Sequence, residues 1–105
     1  MISFLSKLFG GGTPKEPALP TREDPVSYNN YAIIPAPEEA NGGSWRLSGH
    51  IVKESENGPL ERTYVRADTF PTRAEAIEFT VRKGKQIVDQ QADQLFKNGE
   101  PTGRA

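Results

Sequence analysis

The stretch from residue 72 to residue 97 constrains the fold of this chain more than any other. Thr72 is a good N-cap, and Glu75 follows it at the spacing of a capping box. Asn98-Gly99 and Pro101 supply a stop signal. Between them, apolar or small side chains recur at steps of three and four, as on one side of an α-helix. They are Ala74, Ile77, Val81, Gly84, Val88, Ala92 and Leu95. The pattern predicts one long helix over residues 72–97, and this helix needs an apolar surface to cover.

Strand candidates precede the helix. An Asn-Asn turn leads into residues 31–34, and residues 26–28 fit a further short strand. Residues 45–53 form the clearest strand, because polar and apolar side chains alternate along it. Asn57-Gly58 is a strong hairpin signal, so a return strand is expected from about residue 60 to residue 69. The order β-β-β-α predicts an α+β fold of two layers. An antiparallel sheet of three strands, or four, packs against one long C-terminal helix.

Alternation along the strands divides the predicted sheet into two faces. We expect the helix to cover the more apolar face, with Gly84 leaving room for a bulky group, for which Trp45 is the candidate. The residues under the helix would be Trp45, Leu47, Ile51, Val65 and Ala67.

The opposite face of the sheet is then open and basic. Its residues would be Arg46, His50, Arg62, Tyr64 and Arg66. Such a surface can bind the phosphate backbone of DNA or an acidic protein. Alternatively, it is an ordinary polar face whose arginines pair with neighbouring acids.

The predicted helix is longer than the strands that it covers. Some 25 helical residues span about 37 Å, whereas strands of eight or nine residues span about 26–30 Å. The helix should therefore overhang the sheet. Its last turns carry Leu95 and Phe96, and Phe79 and Ile87 lie off the main stripe, so these four apolar groups need a contact. Either they form a homodimer contact or pack on the N-terminal segment, or they lie against the first strand.

Composition along the chain divides it into four parts. We expect a folded domain over residues 26–97, a Pro-rich linker over 13–25 and a disordered tail over 98–105. Residues 1–12 are a short amphipathic segment, which we expect to be disordered in the free protein because so short a helix is unstable in water. In the alternative, its apolar side contacts a partner's groove or, weakly, a membrane surface. That side consists of Ile2, Phe4, Leu5, Leu8 and Phe9.

Composition argues against several classes of function. The 13 basic and 14 acidic residues give a formal net charge of −1, which does not suggest binding to a polyanion. There is no cysteine and His50 is the only histidine, so no metal-ligand set is present. No nucleophile motif, phosphate loop or positioned acid–base pair is present. We expect a non-enzymatic, cytoplasmic binding module with no cofactor, metal or small-molecule substrate.

Several stretches resemble the HlyU-like family of small bacterial proteins. They are Ser-Phe-Leu-Ser-Lys-Leu-Phe-Gly at 3–10, Tyr-Asn-Asn-Tyr at 28–31, Arg-Ala-Asp-Thr-Phe-Pro-Thr-Arg at 66–73, Gln-Ile-Val-Asp-Gln-Gln at 86–91 and Asp-Gln-Leu-Phe at 93–96. The resemblance implies a transcriptional activator of haemolysin genes and supplies no catalytic or ligand residues.

Two hypotheses about function follow from these observations. In the first, the protein regulates transcription by contacting DNA or another protein. The single long helix does not match the two or three helices of a helix-turn-helix domain. In the second, the protein is an adaptor that uses its N-terminal segment at a protein or membrane surface.

Overall fold

A sheet of six strands and one α-helix make up residues 21–105, the part of the chain that this computed structural model describes. The predictions for residues 1–12 and for most of the linker lie outside that part. The strands are β1 (Val26–Tyr28), β2 (Tyr31–Pro35), β3 (Glu38–Glu39), β4 (Trp45–Ser55), β5 (Gly58–Phe70) and β6 (Thr102–Arg104). The helix α1 (Arg73–Gln91) follows β5, and short 3-10 turns lie at Asn41–Gly43 and Ala92–Phe96.

The sheet has the spatial order β1-β2-β4-β5-β6, with β3 paired to β4 beyond the end of β2. All pairs are antiparallel except β5 with β6, which is parallel. The predicted α+β class with one C-terminal helix is confirmed, but the predicted strand count is too low. The two additional strands, β3 and β6, have only two and three residues, so they are too short to show an alternating pattern. The strand β6 also lies where the sequence predicts a disordered tail.

Two tight turns set the registers of the strands. Asn29 and Asn30 have φ of 50° and 71° and join β1 to β2, as their tolerance of positive φ predicts. The loop between β4 and β5 is Glu56-Asn57, because Ser55 pairs with Gly58. The strand β5 therefore begins two residues earlier than the sequence predicts.

This register decides which side chains of β5 lie beneath the helix. Arg62 is opposite Ile51, and Tyr64 is opposite Gly49. The predicted faces of β4 are confirmed, since Leu47 and Ile51 join the core under α1. The predicted faces of β5 are wrong. Side chains alternate along a strand, so a register error of one residue exchanges the two faces.

The helix α1 is shorter than the prediction. The predicted N-cap is confirmed, because the Thr72 Oγ1 accepts the backbone N–H of Glu75 at 3.1 Å. The helix ends at Gln91, since Ala92 has φ of 46° and ψ of −127°, outside the helical region. Its 19 residues span about 28 Å at 1.5 Å each, whereas the 11 residues of β4 and the 13 residues of β5 span about 36 and 43 Å. The predicted overhang is wrong, because the helix is shorter than these two strands.

The helix turns a face of small residues towards the sheet. Its buried positions are Ala76, Thr80, Gly84, Ile87 and Val88, whereas Ala74 of the predicted stripe is exposed. A Cβ at Gly84 would stand 2.6 Å from the Tyr64 Oη and 2.7 Å from the Ile33 Cγ2. Gly84 does admit a bulky group, as predicted, but the group is Tyr64 and not Trp45.

The four apolar groups predicted to need a contact have their contacts within the monomer. Ile87, Leu95 and Phe96 are buried in the core, and the ring of Phe96 stacks on Tyr31 of β2 at 5.8 Å. Phe79 stacks on Phe70 with ring centroids 4.9 Å apart. The predicted homodimer contact through these residues is therefore wrong for the three buried ones. Contact with the first predicted strand, the alternative, is confirmed for Phe96.

None of the described helices combines the length and the apolar content that a membrane span requires.

Candidate binding surface on the open face of the sheet

The face of the sheet that points away from α1 is the candidate functional surface. The helix packs on β2, β4 and β5 from one side only, and within residues 21–105 no helix covers the other side. Register and alternation assign its side chains, which we call the open face. They are Ala32, Ile34, Arg46, Ser48, His50, Val52, Glu61, Thr63 and Val65. All are half-buried except Ser48, which is buried.

His50 lies at the centre of the open face. Its Nδ1 is 2.9 Å from the Thr63 Oγ1 and 3.4 Å from the Glu61 Oε2. Burial lowers the pKa of His50, and the charge of Arg22 lowers it further, while Glu61 opposes both. The imidazole is therefore neutral at pH 7, and His50 contributes a hydrogen-bonding ring to the face and not a charge.

A bidentate ion pair crosses one side of the open face. The Arg22 Nη1 and Nη2 donate to the two carboxylate oxygens of Glu61 at 2.9 and 3.0 Å. This pairing lowers the pKa of Glu61 and raises that of Arg22. Arg22 belongs to the predicted linker, so part of that linker is tied to the domain.

A second set of contacts holds the same stretch of chain at the edge of β2. The backbone N–H of Glu23 donates to the Pro35 carbonyl oxygen at 2.7 Å. Arg73, at the start of α1, donates to the Glu23 carboxylate and to the Thr21 carbonyl oxygen. Residues 21–23 are therefore fixed beside the open face by backbone and side-chain contacts.

A concavity of about 410 Å³ opens at the end of the face next to the Asn29-Asn30 turn. Ala32 and Val52 supply apolar surface, and Ser27 and Glu54 lie beside them. A lining that is apolar and polar in about equal parts and includes the Glu54 side chain suits the side chains of a protein partner better than it suits a phosphate.

The predicted basic residues separate in the structure. Arg46 and His50 are on the open face, and Arg46 lies 3.6 Å from Glu38 in an ion pair. Arg66 is half-buried where the register of β4 and β5 shifts, and its Nη1 donates to the Val65 carbonyl oxygen at 3.0 Å. Arg62 and Tyr64 lie under the helix, so the predicted five-residue binding surface is wrong.

Arg62 is a structural residue, with only 2% of its surface exposed. Its Nε donates to the Leu95 carbonyl oxygen at 2.7 Å, and its Nη1 to the carbonyl oxygens of Glu100 at 3.0 Å and of Glu61 at 2.8 Å. Its Nη2 donates to the Asn98 Oδ1 at 2.8 Å. The guanidinium therefore joins β5 to the chain that leads into β6.

Tyr64 is buried as well, with 1% of its surface exposed. Its Oη donates to the Thr80 carbonyl oxygen of α1 at 2.6 Å. Burial raises the pKa of the Tyr64 hydroxyl well above its usual range. Tyr64 therefore stabilises the contact between helix and sheet and is not available to a ligand.

The sequence predicts only part of the open face. It puts Arg22 in the linker and Val65 under the helix, and it does not single out Thr63. The length of the hairpin loop would place Val65 correctly. A two-residue loop at Asn57-Gly58 places Tyr64 opposite Ile51, which already puts Tyr64 under the helix.

The fold defines a class of protein, a small α+β domain in which one face of the sheet is covered by a helix and the other is open. The family model described as transcriptional activator HlyU matches residues 3–96. The chain belongs to this family, which is a family of transcription regulators. No curated protein and no solved structure matches the chain.

Proposed function

We propose that the protein regulates transcription as a non-enzymatic binding module in the cytoplasm, and that its open face contacts another protein of the transcription apparatus. Membership of the HlyU family supports the regulatory role. The observation that carries the mode of action is the open face itself. It combines apolar side chains and a concavity at Val52 with the ion pairs Arg22–Glu61 and Arg46–Glu38.

The charges of the described residues favour a protein partner over DNA. A protein that binds DNA uses Lys and Arg to neutralise phosphates. Arg22 and Arg46, which lie on or beside the open face, are already paired with Glu61 and Glu38. Within residues 21–105 there is a single α-helix, and a helix-turn-helix domain needs a second one to support its recognition helix.

The anatomy of the open face resembles that of a protein–protein interface. Such interfaces combine apolar area with hydrogen-bonding and charged groups. Ala32, Val52 and Val65 supply apolar surface, His50 supplies a hydrogen-bonding ring, and Glu61 of the Arg22–Glu61 pair is opposite Val52. Surface ion pairs of this kind add little to stability, but they limit which partners fit.

Comparison of transcripts in a deletion strain tests the regulatory role. We expect the levels of a defined set of transcripts to change when the gene is deleted and to return when the wild-type gene is supplied. An unchanged transcript profile, under conditions in which the protein is made, would contradict the proposal.

A DNA titration separates the two modes of action. Fragments upstream of the affected genes are titrated with the purified full chain at about 50 and 200 mM salt, a range over which binding through several phosphates weakens strongly. We expect no salt-sensitive binding. Binding that falls tenfold or more between the two concentrations would replace protein contact by direct DNA contact.

A further inference from the structure

The open face contains four apolar side chains, and two of them lie at its concavity. Ala32 and Val52 line the concavity of about 410 Å³, which is ample for a phenylalanine or leucine side chain. The other two are Ile34, opposite His50, and Val65, opposite Ser48. Within residues 21–105, only the Arg22 side chain is seen to reach across to this side, where it pairs with Glu61.

The chain enters its described part beside this face. Residues 21–23 are held to the edge of β2 by the Glu23–Pro35 hydrogen bond and to α1 by Arg73. Everything that precedes Thr21 is therefore tethered at a known point. This tether combines a backbone hydrogen bond with two charge-assisted hydrogen bonds from Arg73, which are stronger than bonds between neutral groups.

The tether places the N-terminal segment within reach of the concavity. Eleven residues, 10–20, separate the segment from Thr21. A chain of that length extends over about 18 Å as a Gly-rich coil and about 34 Å as an extended Pro-rich chain. Pro35 pairs with Gly49, and Val52 is three residues further along β4, a distance of about 10 Å. The segment is therefore present near the face at an effective concentration of order mM.

The chemistry of the segment complements that of the concavity. On a helical wheel, five apolar residues of residues 1–9 fall on one side, and Lys7 is the only charged side chain. The concavity offers the apolar side chains of Ala32 and Val52, and the Glu54 side chain lines it as well. An amphipathic segment laid on an apolar surface, with its charge at an acidic residue, is a common mode of peptide recognition.

We propose that residues 1–9 of this chain dock on the open face, with their apolar side over Ala32 and Val52 and with Lys7 towards Glu54. The docking does not depend on the proposed function. If the open face also binds a protein partner, the segment competes with that partner for the same surface.

A spin label on the segment tests this docking in the full chain. The sequence has no cysteine, so a Ser6→Cys variant carries a single nitroxide on the polar side of the segment. We expect the methyl signals of Val52 and Val65 to lose most of their intensity in NMR spectra. The amide signals of Arg82 and Gln90, on the outer side of α1, keep theirs.

Two pairs of variants supply the controls. Phe4→Asp together with Leu8→Asp removes the apolar side of the segment, and it should restore the Val52 and Val65 signals. Val52→Lys places a charge at the concavity and should reduce the loss of signal intensity at Val65. Gln90→Lys adds the same charge on the opposite side of the molecule and should leave this loss of intensity unchanged.

Three results would overturn the proposal. The first is full intensity at Val52 and Val65 in the labelled chain. The second is a loss of intensity that occurs only when the spin-labelled chain is mixed with an isotope-enriched chain that has no spin label. This result would assign the contact to a second molecule. The third is a segment that leaves the open face unaffected and shifts only on addition of anionic lipid vesicles, which would assign it to a membrane surface. None of these results bears on the transcript test of the proposed function.

Discussion

Tyr64 is the residue that sets how closely the helix and the sheet approach each other. Its hydroxyl lies close to both Gly49 of β4 and Gly84 of α1, and it donates to the Thr80 carbonyl oxygen. A Cβ at either glycine would lie within about 3 Å of this side chain. The small residues on the helix therefore form the contact surface for one large aromatic group.

A Gly84→Ala variant tests this close approach. In an exposed helix the change would stabilise the protein by about 1 kcal/mol. Here the new methyl group would clash with the Tyr64 Oη and the Ile33 Cγ2, and overpacking of a core costs about 1–3 kcal/mol. We expect a net loss of about 1–2 kcal/mol in the free energy of unfolding, measured by urea denaturation.

A double-mutant cycle with Tyr64→Phe controls for other effects of the alanine. The phenylalanine removes the oxygen nearest to the new methyl group, so Gly84→Ala should cost at least about 0.5 kcal/mol less in that background. Stabilisation by Gly84→Ala in the wild-type protein would contradict the packing described here.

The lowered pKa of His50 predicts a pH dependence of stability. Because the folded pKa lies below the unfolded value of about 6.5, the folded state disfavours the protonated ring. The stabilisation is complete above the unfolded pKa and is lost as the pH falls towards the folded pKa. We expect the urea midpoint to fall between pH 7.5 and pH 5.5, and to fall less in a His50→Gln variant. Equal slopes in the two proteins would refute the assignment of the shift to His50.

At the level of single residues, hydropathy explains what the sequence could and could not predict. The Asn29-Asn30 turn and the Thr72 cap follow from local chemistry and were predictable. Arg62 is predicted outside the core, because alternation along β5 groups it with Arg66, on the side opposite the more apolar side chains of that strand. Its acceptors are mainly carbonyl oxygens distant in sequence, at residues 95 and 100, and no local pattern identifies such partners.

At the level of secondary-structure elements, the structure differs from the prediction in the C-terminal region, at the end of α1 and at β6. The periodicity of apolar residues continues past Gln91, so the sequence predicts a longer helix. The break occurs at Ala92, a residue type that carries no stop signal. Tertiary contacts explain the break, because Leu95 and Phe96 must turn back to reach the core.

Ala92→Gly tests where the helix ends. Alanine at φ of 46° is strained, at a cost of about 1–2 kcal/mol that glycine avoids. We expect the variant to raise the free energy of unfolding by about 1 kcal/mol. Ala74→Gly is the matched control, because Ala74 is an exposed residue within α1 and should lose about 0.5–1 kcal/mol. A similar loss at Ala92 would mean that the helix continues through that residue.

Arg62→Lys tests the attachment of β6. Lysine keeps the charge but lacks the planar fork that reaches Leu95, Asn98 and Glu100 together. We expect a loss of about 2–3 kcal/mol, because buried carbonyl oxygens lose their donors. Amide hydrogen exchange at Ala105, whose N–H donates to the Thr63 carbonyl oxygen, should become faster.

The matched control for this variant is Arg46→Lys on the open face. The Arg46–Glu38 ion pair is partly exposed and 3.6 Å long, so the change should alter stability by less than about 0.5 kcal/mol. The attachment by Arg62 would be disproved if the two variants had equal stability and Ala105 exchanged at the wild-type rate in both.

At the scale of the whole molecule, the two faces of the sheet have different surroundings. One face supports α1 through Tyr64 and the core. The other presents Ala32, Val52 and Val65 beside the Arg22–Glu61 ion pair. The sequence was sufficient to predict the two layers and the family, because both follow from patterns that extend over much of the chain. It was not sufficient to predict which residues line the open face, because that depends on a register set by one turn.

The most direct test of this account compares two lysine substitutions on opposite sides of the molecule in the deletion strain. Val52→Lys alters the open face, and Gln90→Lys adds the same charge to the exposed side of α1. Both purified variants should unfold at urea concentrations close to that of the wild type. The account predicts that Gln90→Lys restores the affected transcripts to wild-type levels and that Val52→Lys does not. Full restoration by Val52→Lys would contradict it.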